Sequence, residues 1–146
     1  MNKPIIEFNG YKIEKINYKS MDFSDRDDMS EVEIKNVVEC GINDEQTKGL
    51  VVVKLSVIDP RNSRELEIEV NGFFDLSPDI KEEEEAYQYL SINGVAIVYP
   101  YVRTFASMLT TLDSDKAIVL PSVNTKEFYE TFDNKWYLFS YFLLWK

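Results

Sequence analysis

Residues 92–112 read INGVAIVYPYVRTFASMLTTL, an apolar stretch with a proline near its middle, and nothing else in the chain restricts its fold as much. Val95, Val98, Val102, Phe105, Leu109 and Leu112 follow a 3,4,3,4,3 spacing, the seam of a helix packed against a partner. Ile97, Tyr101 and Met108 add a second apolar flank, so cover on one side alone leaves oily surface in water. Burying an aliphatic or aromatic side chain is worth about 1.5–3 kcal/mol, so six of them represent on the order of 10 kcal/mol. A sheet can cover one face of such a helix, and a neighbouring subunit is the simplest cover for the other. Pro100 removes a backbone hydrogen bond and is expected to kink the helix.

The sequence upstream reads as strands. Glu31 to Glu39, Leu50 to Ile58 and Glu65 to Leu76 are joined by GINDEQTKG and DPRNSR, both rich in turn formers, which predicts an antiparallel meander. In the third of these, Leu66, Ile68 and Val70 share one face while Glu65, Glu67 and Glu69 share the other. The sheet is therefore expected to have an oily side and an acidic side. Tyr11 to Tyr18 reads as a fourth strand whose apolar phase slips between Ile13 and Ile16, the sign of a bulge. After DLSPD the period becomes helical, with Ser77 or Asp79 as the cap and Glu82 to Glu85 placed at the positive end of the helix dipole. Asn93-Gly94 is expected to interrupt this helix before the apolar one begins.

Charge and composition exclude several kinds of chemistry. Sixteen Lys and Arg face 26 Asp and Glu, a formal net charge of -10, which disfavours nucleic acid and anionic membrane surfaces as partners. Histidine is absent and Cys40 is the single cysteine. No Ser-His or Cys-His pair, disulfide or His/Cys zinc site is then possible, and no phosphate loop or metal spacing is visible. The expectation is a protein without enzymatic activity, cofactor or metal. One thiol and no secretion signal point to the cytoplasm, and 146 residues suit a single domain spanning 1–146. The longest apolar run, Trp136 to Trp145, is about half of the roughly 20 residues needed to span a bilayer. Trp136, Phe139 and Leu143, with Tyr137, Tyr141 and Leu144, cover much of a short helix there, which must pack on the subunit's own core, over a binding groove, or against another subunit.

GVAIVYPYVRTFASMLTTL followed by AIVLPSVNTKEFYE resembles the SecB family of export chaperones, with Tyr99, Pro100, Tyr101 and Arg103, then Leu120, Val123 and Asn124, then Phe128 and Tyr129 at the matching positions. EKINYKSMDFS is similar to that family's first strand and LEIEVNGFFDL to its strand ending in Gly, aromatic and aliphatic residues, so the resemblance runs in order from about Tyr11 to Tyr129. It implies an α+β fold, a SecB-like four-stranded antiparallel sheet backed by a long helix with shorter flanking helices. It further implies a dimer or homotetramer with the helices between paired sheets, Val95, Val98, Val102, Phe105 and Leu109 forming the oligomer interface.

The function implied is that of an ATP-independent holding chaperone, which keeps unfolded polypeptide clients competent for export in apolar, aromatic grooves. Two Trp, nine Tyr and nine Phe suit such a surface, because aromatics give contact area with little demand on partner sequence. Phe73, Phe74 and Leu76, next to Gly72, are the expected groove residues, opposed by Tyr87, Leu90 and Ile92. Family members dock the export ATPase, SecA, on an acidic sheet face, and the matching positions are Asp22, Glu67 and Glu69. The second functional class is an adaptor, or a chaperone specialised for one partner such as the antitoxin of a toxin-antitoxin pair, since a fold does not fix a function.

Overall fold

Every second residue from Arg64 to Leu76 is buried, so this strand has one face inside the protein, as its alternating sequence requires. In the computed structural model, which describes residues 3–21 and 31–126, it is β4 of a four-stranded antiparallel sheet with β1 (Ile6–Ser20), β2 (Glu33–Ile42) and β3 (Lys48–Asp59). The order is β1-β4-β3-β2. The predicted meander is β2-β3-β4, and the predicted fourth strand is β1, longer than expected and added outside β4.

β1 pairs with β4 through two register slips, between Phe8 and Gly10 and between Ile13 and Lys15. The second is the bulge expected from the apolar phase slip. Each slip absorbs one residue, so Phe8, Tyr11, Ile13 and Ile16 stand opposite Phe74, Gly72, Val70 and Ile68. Without the slips, alternation would turn half of these side chains to the other face. Gly10 has φ +116° at the first slip, a conformation that L side chains avoid.

The helical layer comprises α1 (Glu83–Tyr89), a π-helical turn (Leu90–Gly94) and α2 (Val95–Thr110). Ser77 does not cap it: Ser77, Pro78 and Asp79 form a turn closed by Ile80 N–H on the Ser77 carbonyl at 3.1 Å. The helix begins at Glu83, with Glu83, Glu84 and Glu85 in its first turn, where the dipole favours carboxylates. Asn93-Gly94 does not interrupt it either. Gly94 keeps helical dihedrals of -64° and -45°, and a Cβ there would lie 2.9 Å from a Val51 methyl. The glycine thus serves close helix-sheet packing, and the wider π turn carries the rod onward.

Val95, Val98 and Val102 are fully buried against the sheet, with Val98 directly above Gly72. Pro100 lies on the exposed side of α2, and the Ala96 carbonyl that its missing N–H would have engaged is likewise on an exposed residue. Cys40 is buried, and its thiol pKa is pushed well up by desolvation, with Glu39 adding to it.

One polar clasp closes the end of this layer. Arg64 is 4% exposed, and its Nε donates to Asp59 Oδ2 at 2.9 Å, Nη1 to the Thr110 carbonyl at 3.0 Å and Nη2 to the Lys116 carbonyl at 2.6 Å. It joins the β3-β4 connection to the last turn of α2 and to the segment beyond, where Ile118 N–H donates to Thr110 Oγ1 at 2.9 Å. The bond to the Thr110 carbonyl satisfies a helix-end acceptor that α2 cannot pair within itself.

Candidate functional site

α2 carries two apolar stripes. One is the inward row just described. The other, Ile97, Tyr101, Phe105, Met108 and Leu112, is spaced 4,4,3,4 and borders β1, one edge of the sheet. Ile97, Met108 and Leu112 are 37%, 53% and 72% exposed, and on the same side of β1 Tyr11, Ile13 and Ile16 are 39%, 41% and 40% exposed. Rings join the two sets: the Tyr11 and Tyr101 centroids lie 4.3 Å apart, and Tyr101–Phe8 and Phe105–Tyr11 each lie 6.0 Å apart. The result is a ledge of aliphatic and aromatic surface along the joint of strand and helix. Tyr18 anchors one end of it by donating its hydroxyl to Asp113 Oδ1 at 2.6 Å, and burial and that carboxylate raise its pKa. Such a ledge can hold an apolar polypeptide or another copy of the chain.

The other face of the sheet has a charged half and an apolar half. Glu65, Glu67 and Glu69 do align on it, but lysines from the flanking strands interleave with them. Lys15 Nζ lies 2.7 Å from Glu67, Lys19 Nζ lies 2.9 Å from Glu65, and Lys48 pairs with Asp75. Lys15 holds the Glu67 carboxyl below its ordinary pKa. The expected acidic face is therefore charge-mixed. Its apolar half is built by Val37, Leu50, Val52 and Phe73, with Leu50 opposite Phe73 and Val52 between Glu39 and Asn71. Glu39 Oε1 lies 3.5 Å from Lys54 Nζ, while Glu39 Oε2 and Asn71 Oδ1 are buried acceptors with no hydrogen bond among the described residues.

No protein-family model matches the chain. The SecB-like chaperone Rv1957 of Mycobacterium tuberculosis, solved in complex with a ChAD peptide from the HigA1 antitoxin Rv1956, superposes with a TM-score of 0.65 at 13% identity, over 81% of this chain and 90% of that one. This chain has the SecB-like fold. A protein of unknown function from Streptococcus agalactiae superposes with a TM-score of 0.49 at 11% identity, over 80% of this chain and 97% of its own. In sequence, the uncharacterized protein MJ0357 of Methanocaldococcus jannaschii is 26% identical over 128 residues, 84% of this chain and 81% of its own length.

Within the SecB-like fold, the six expected groove residues do not come together. Phe74, Leu76 and Leu90 are 1%, 7% and 0% exposed in the core, so no client reaches them unless the helices lift off the sheet. Phe73 is half-buried on the opposite face from Phe74, because neighbours on a strand point opposite ways. Tyr87 and Ile92 lie half-buried on the helical layer, and burial, helped by the Glu83 charge, pushes the Tyr87 pKa up to about 12. Of the expected interface residues, Val95, Val98 and Val102 meet their own sheet, whereas Phe105 and Leu109 are half-buried. The outward stripe is instead the one from Ile97 to Leu112. Asp22, Phe128, Tyr129 and Trp136 to Trp145 lie outside the described residues.

Sequence reasoning missed Tyr11, Ile13 and Ile16 as surface residues, although three large apolar side chains kept in phase by a bulge were a usable signal. It also missed the apolar half of the outer face at Leu50 and Val52. There the signal was Leu50-Val51-Val52-Val53, apolar on both faces of one strand, as in strands covered from both sides.

Proposed function

We propose that this chain is an ATP-independent holding chaperone that binds unfolded or extended polypeptide on apolar surfaces of its sheet. The observation that carries this reading is the ledge of Tyr11, Ile13, Ile16 and Tyr101. It leaves aromatic and aliphatic surface in water on a fold shared with a chaperone solved with a peptide bound. Among the described residues β1 is an edge strand, so an extended client has side-chain contacts on the ledge and a strand edge to pair with. Self-association as a dimer or tetramer covers the same outward stripe of α2 and belongs to the proposal. Export competence follows from holding clients unfolded. SecA docking at Glu67 and Glu69 is a separate part of the proposal, in which a partner's basic groups compete with Lys15, 2.7 Å from Glu67.

The antitoxin peptide held by Rv1957 favours a second reading, in which one dedicated partner is the client. The two readings separate in one assay. A general chaperone delays aggregation of several unrelated unfolded proteins at near-stoichiometric amounts, and I13S with Y101S weakens this several-fold while the melting transition stays cooperative. Protection of one protein and neglect of the rest leaves the dedicated reading. Binding of a single natively folded partner, with unfolded chains ignored, defeats both.

A further inference from the structure

The pair Asn-Gly occurs at Asn9-Gly10, Asn71-Gly72 and Asn93-Gly94, and the same chemistry is open to each. The glycine nitrogen attacks Cγ of the asparagine, an approach that no side chain on glycine blocks. A five-membered succinimide forms, Nδ2 leaves as ammonia, and the proton of the attacking nitrogen passes to solvent base. Water then opens the ring, at Cγ to give aspartate or at the backbone carbonyl to give isoaspartate. Water is the only co-reactant. The glycine peptide must swing toward Cγ, however, so the fold decides where the ring closes.

Two of the three sites are locked. Gly72 lies in β4 between β1 and β3, opposite Tyr11 and Val51, and a Cβ there would collide with a Val98 methyl. Gly94 is helical, and its Cβ would stand 2.9 Å from a Val51 methyl. Asn9-Gly10 is placed differently. The first slip of β1 passes over Asn9, which has no opposite residue in β4, as the extra residue of a bulge is left unpaired. Asn9 is exposed, β1 is an edge strand among the described residues, and a Cβ on Gly10 would meet no described atom within 4 Å. We propose that Asn9-Gly10 is a self-modification site, where the folded chain converts asparagine to aspartate and isoaspartate well ahead of Asn71 and Asn93, and that the product loosens the Ile6–Phe8 end of β1. This holds whether or not the chain is a chaperone. The Asn9 amide donates to the Asp75 carboxylate, which Lys48 also engages. Either product replaces that donor with a carboxylate beside Asp75, where like charges repel, and isoaspartate also adds a methylene to the backbone at the slip. Phe8, whose ring lies 5.4 Å from Phe74 and 6.0 Å from Tyr101, is then held less firmly at its end of the ledge.

The test holds the full-length chain at mildly alkaline pH and follows each Asn-Gly site over time by peptide mass spectrometry. In the folded protein Asn9 is expected to convert several-fold faster than Asn71 or Asn93, with isoaspartate detected by methyl transfer from a protein isoaspartyl methyltransferase. In denaturant the three rates should converge, because the selection comes from the fold. N9Q, which would have to close a larger ring, should stay unmodified at this position. A rate at Asn9 no higher than at the other two sites overturns the proposal, and so does a lead that persists unchanged in denaturant. The loosening is read separately by backbone hydrogen exchange. N9D reproduces the aspartate product and should raise exchange across Ile6 to Phe8 several-fold, and D75N added to it should bring exchange back toward the unaltered chain. Unchanged exchange in N9D overturns that part of the proposal.

Discussion

The two faces of β4 are held by different forces. Toward the helices, Leu66, Ile68, Val70, Gly72, Phe74 and Leu76 are all buried, and shape decides their order, with Val98 filling the space above Gly72. Toward the outside, Glu65, Glu67 and Asp75 meet lysines from β1 and β3 across distances that water shares. Dense packing transmits any change in volume, whereas exposed ion pairs contribute about 0–1 kcal/mol each and tolerate exchange. Stability is thus concentrated on the helix-facing side of the strand, and the charged part of the other side is left to vary with its partners.

The largest break in this contrast is on the packed side. Phe74→Ala should cost about 3–5 kcal/mol, and for a chain of this size that lowers Tm by roughly 10 °C, measurable by calorimetry. A polar substitution at Phe74 would therefore report on unfolding of the core before it reported on client binding. Next comes the ion pair enclosed on the packed face. Arg64→Met leaves Asp59 charged and buried and two carbonyls unpaired, for a loss of about 3 kcal/mol in chemical denaturation. Adding Asp59→Leu should restore much of it, because the cost lies in the orphaned charge. The smallest effect is on the outer face. Glu67→Gln should change stability by under about 1 kcal/mol, and high salt should erase the difference. Its pH dependence has a definite sign. Lys15 depresses the Glu67 pKa in the folded chain, so its contribution is present above the ordinary carboxylate value and is lost as pH falls through the folded one. Wild type and variant should converge in acid. A large effect of Glu67→Gln, or a small one of Phe74→Ala, would erase the distinction between the faces.

How far the sequence could be read follows the reach of each signal. Alternation in β4 and the phase slip in β1 are local, and both the strands and the bulge were visible in them. The 3,4 spacing in α2 showed which residues share a stripe but not what the stripe meets, so Val95, Val98 and Val102 were expected to face a second subunit and instead meet their own sheet. Asn93-Gly94 carried a local stop signal that packing of Gly94 on Val51 overrides. The three outer-face glutamates read as acidic because Lys15 and Lys19 are distant in sequence and arrive only through the β1-β4 register. The ledge was half legible: Ile97, Tyr101 and Met108 stood out, while Tyr11, Ile13 and Ile16 became its other wall only when β1 took the edge.

The burial of Cys40 has a practical consequence. Its thiol is enclosed and disfavoured as a thiolate, which is the form that reacts. A cysteine introduced at Ile16 or Met108 should therefore accept a maleimide dye or spin label selectively, with the natural residue left in place. Distances between such labels would then follow the edge strand and the rod as guests arrive.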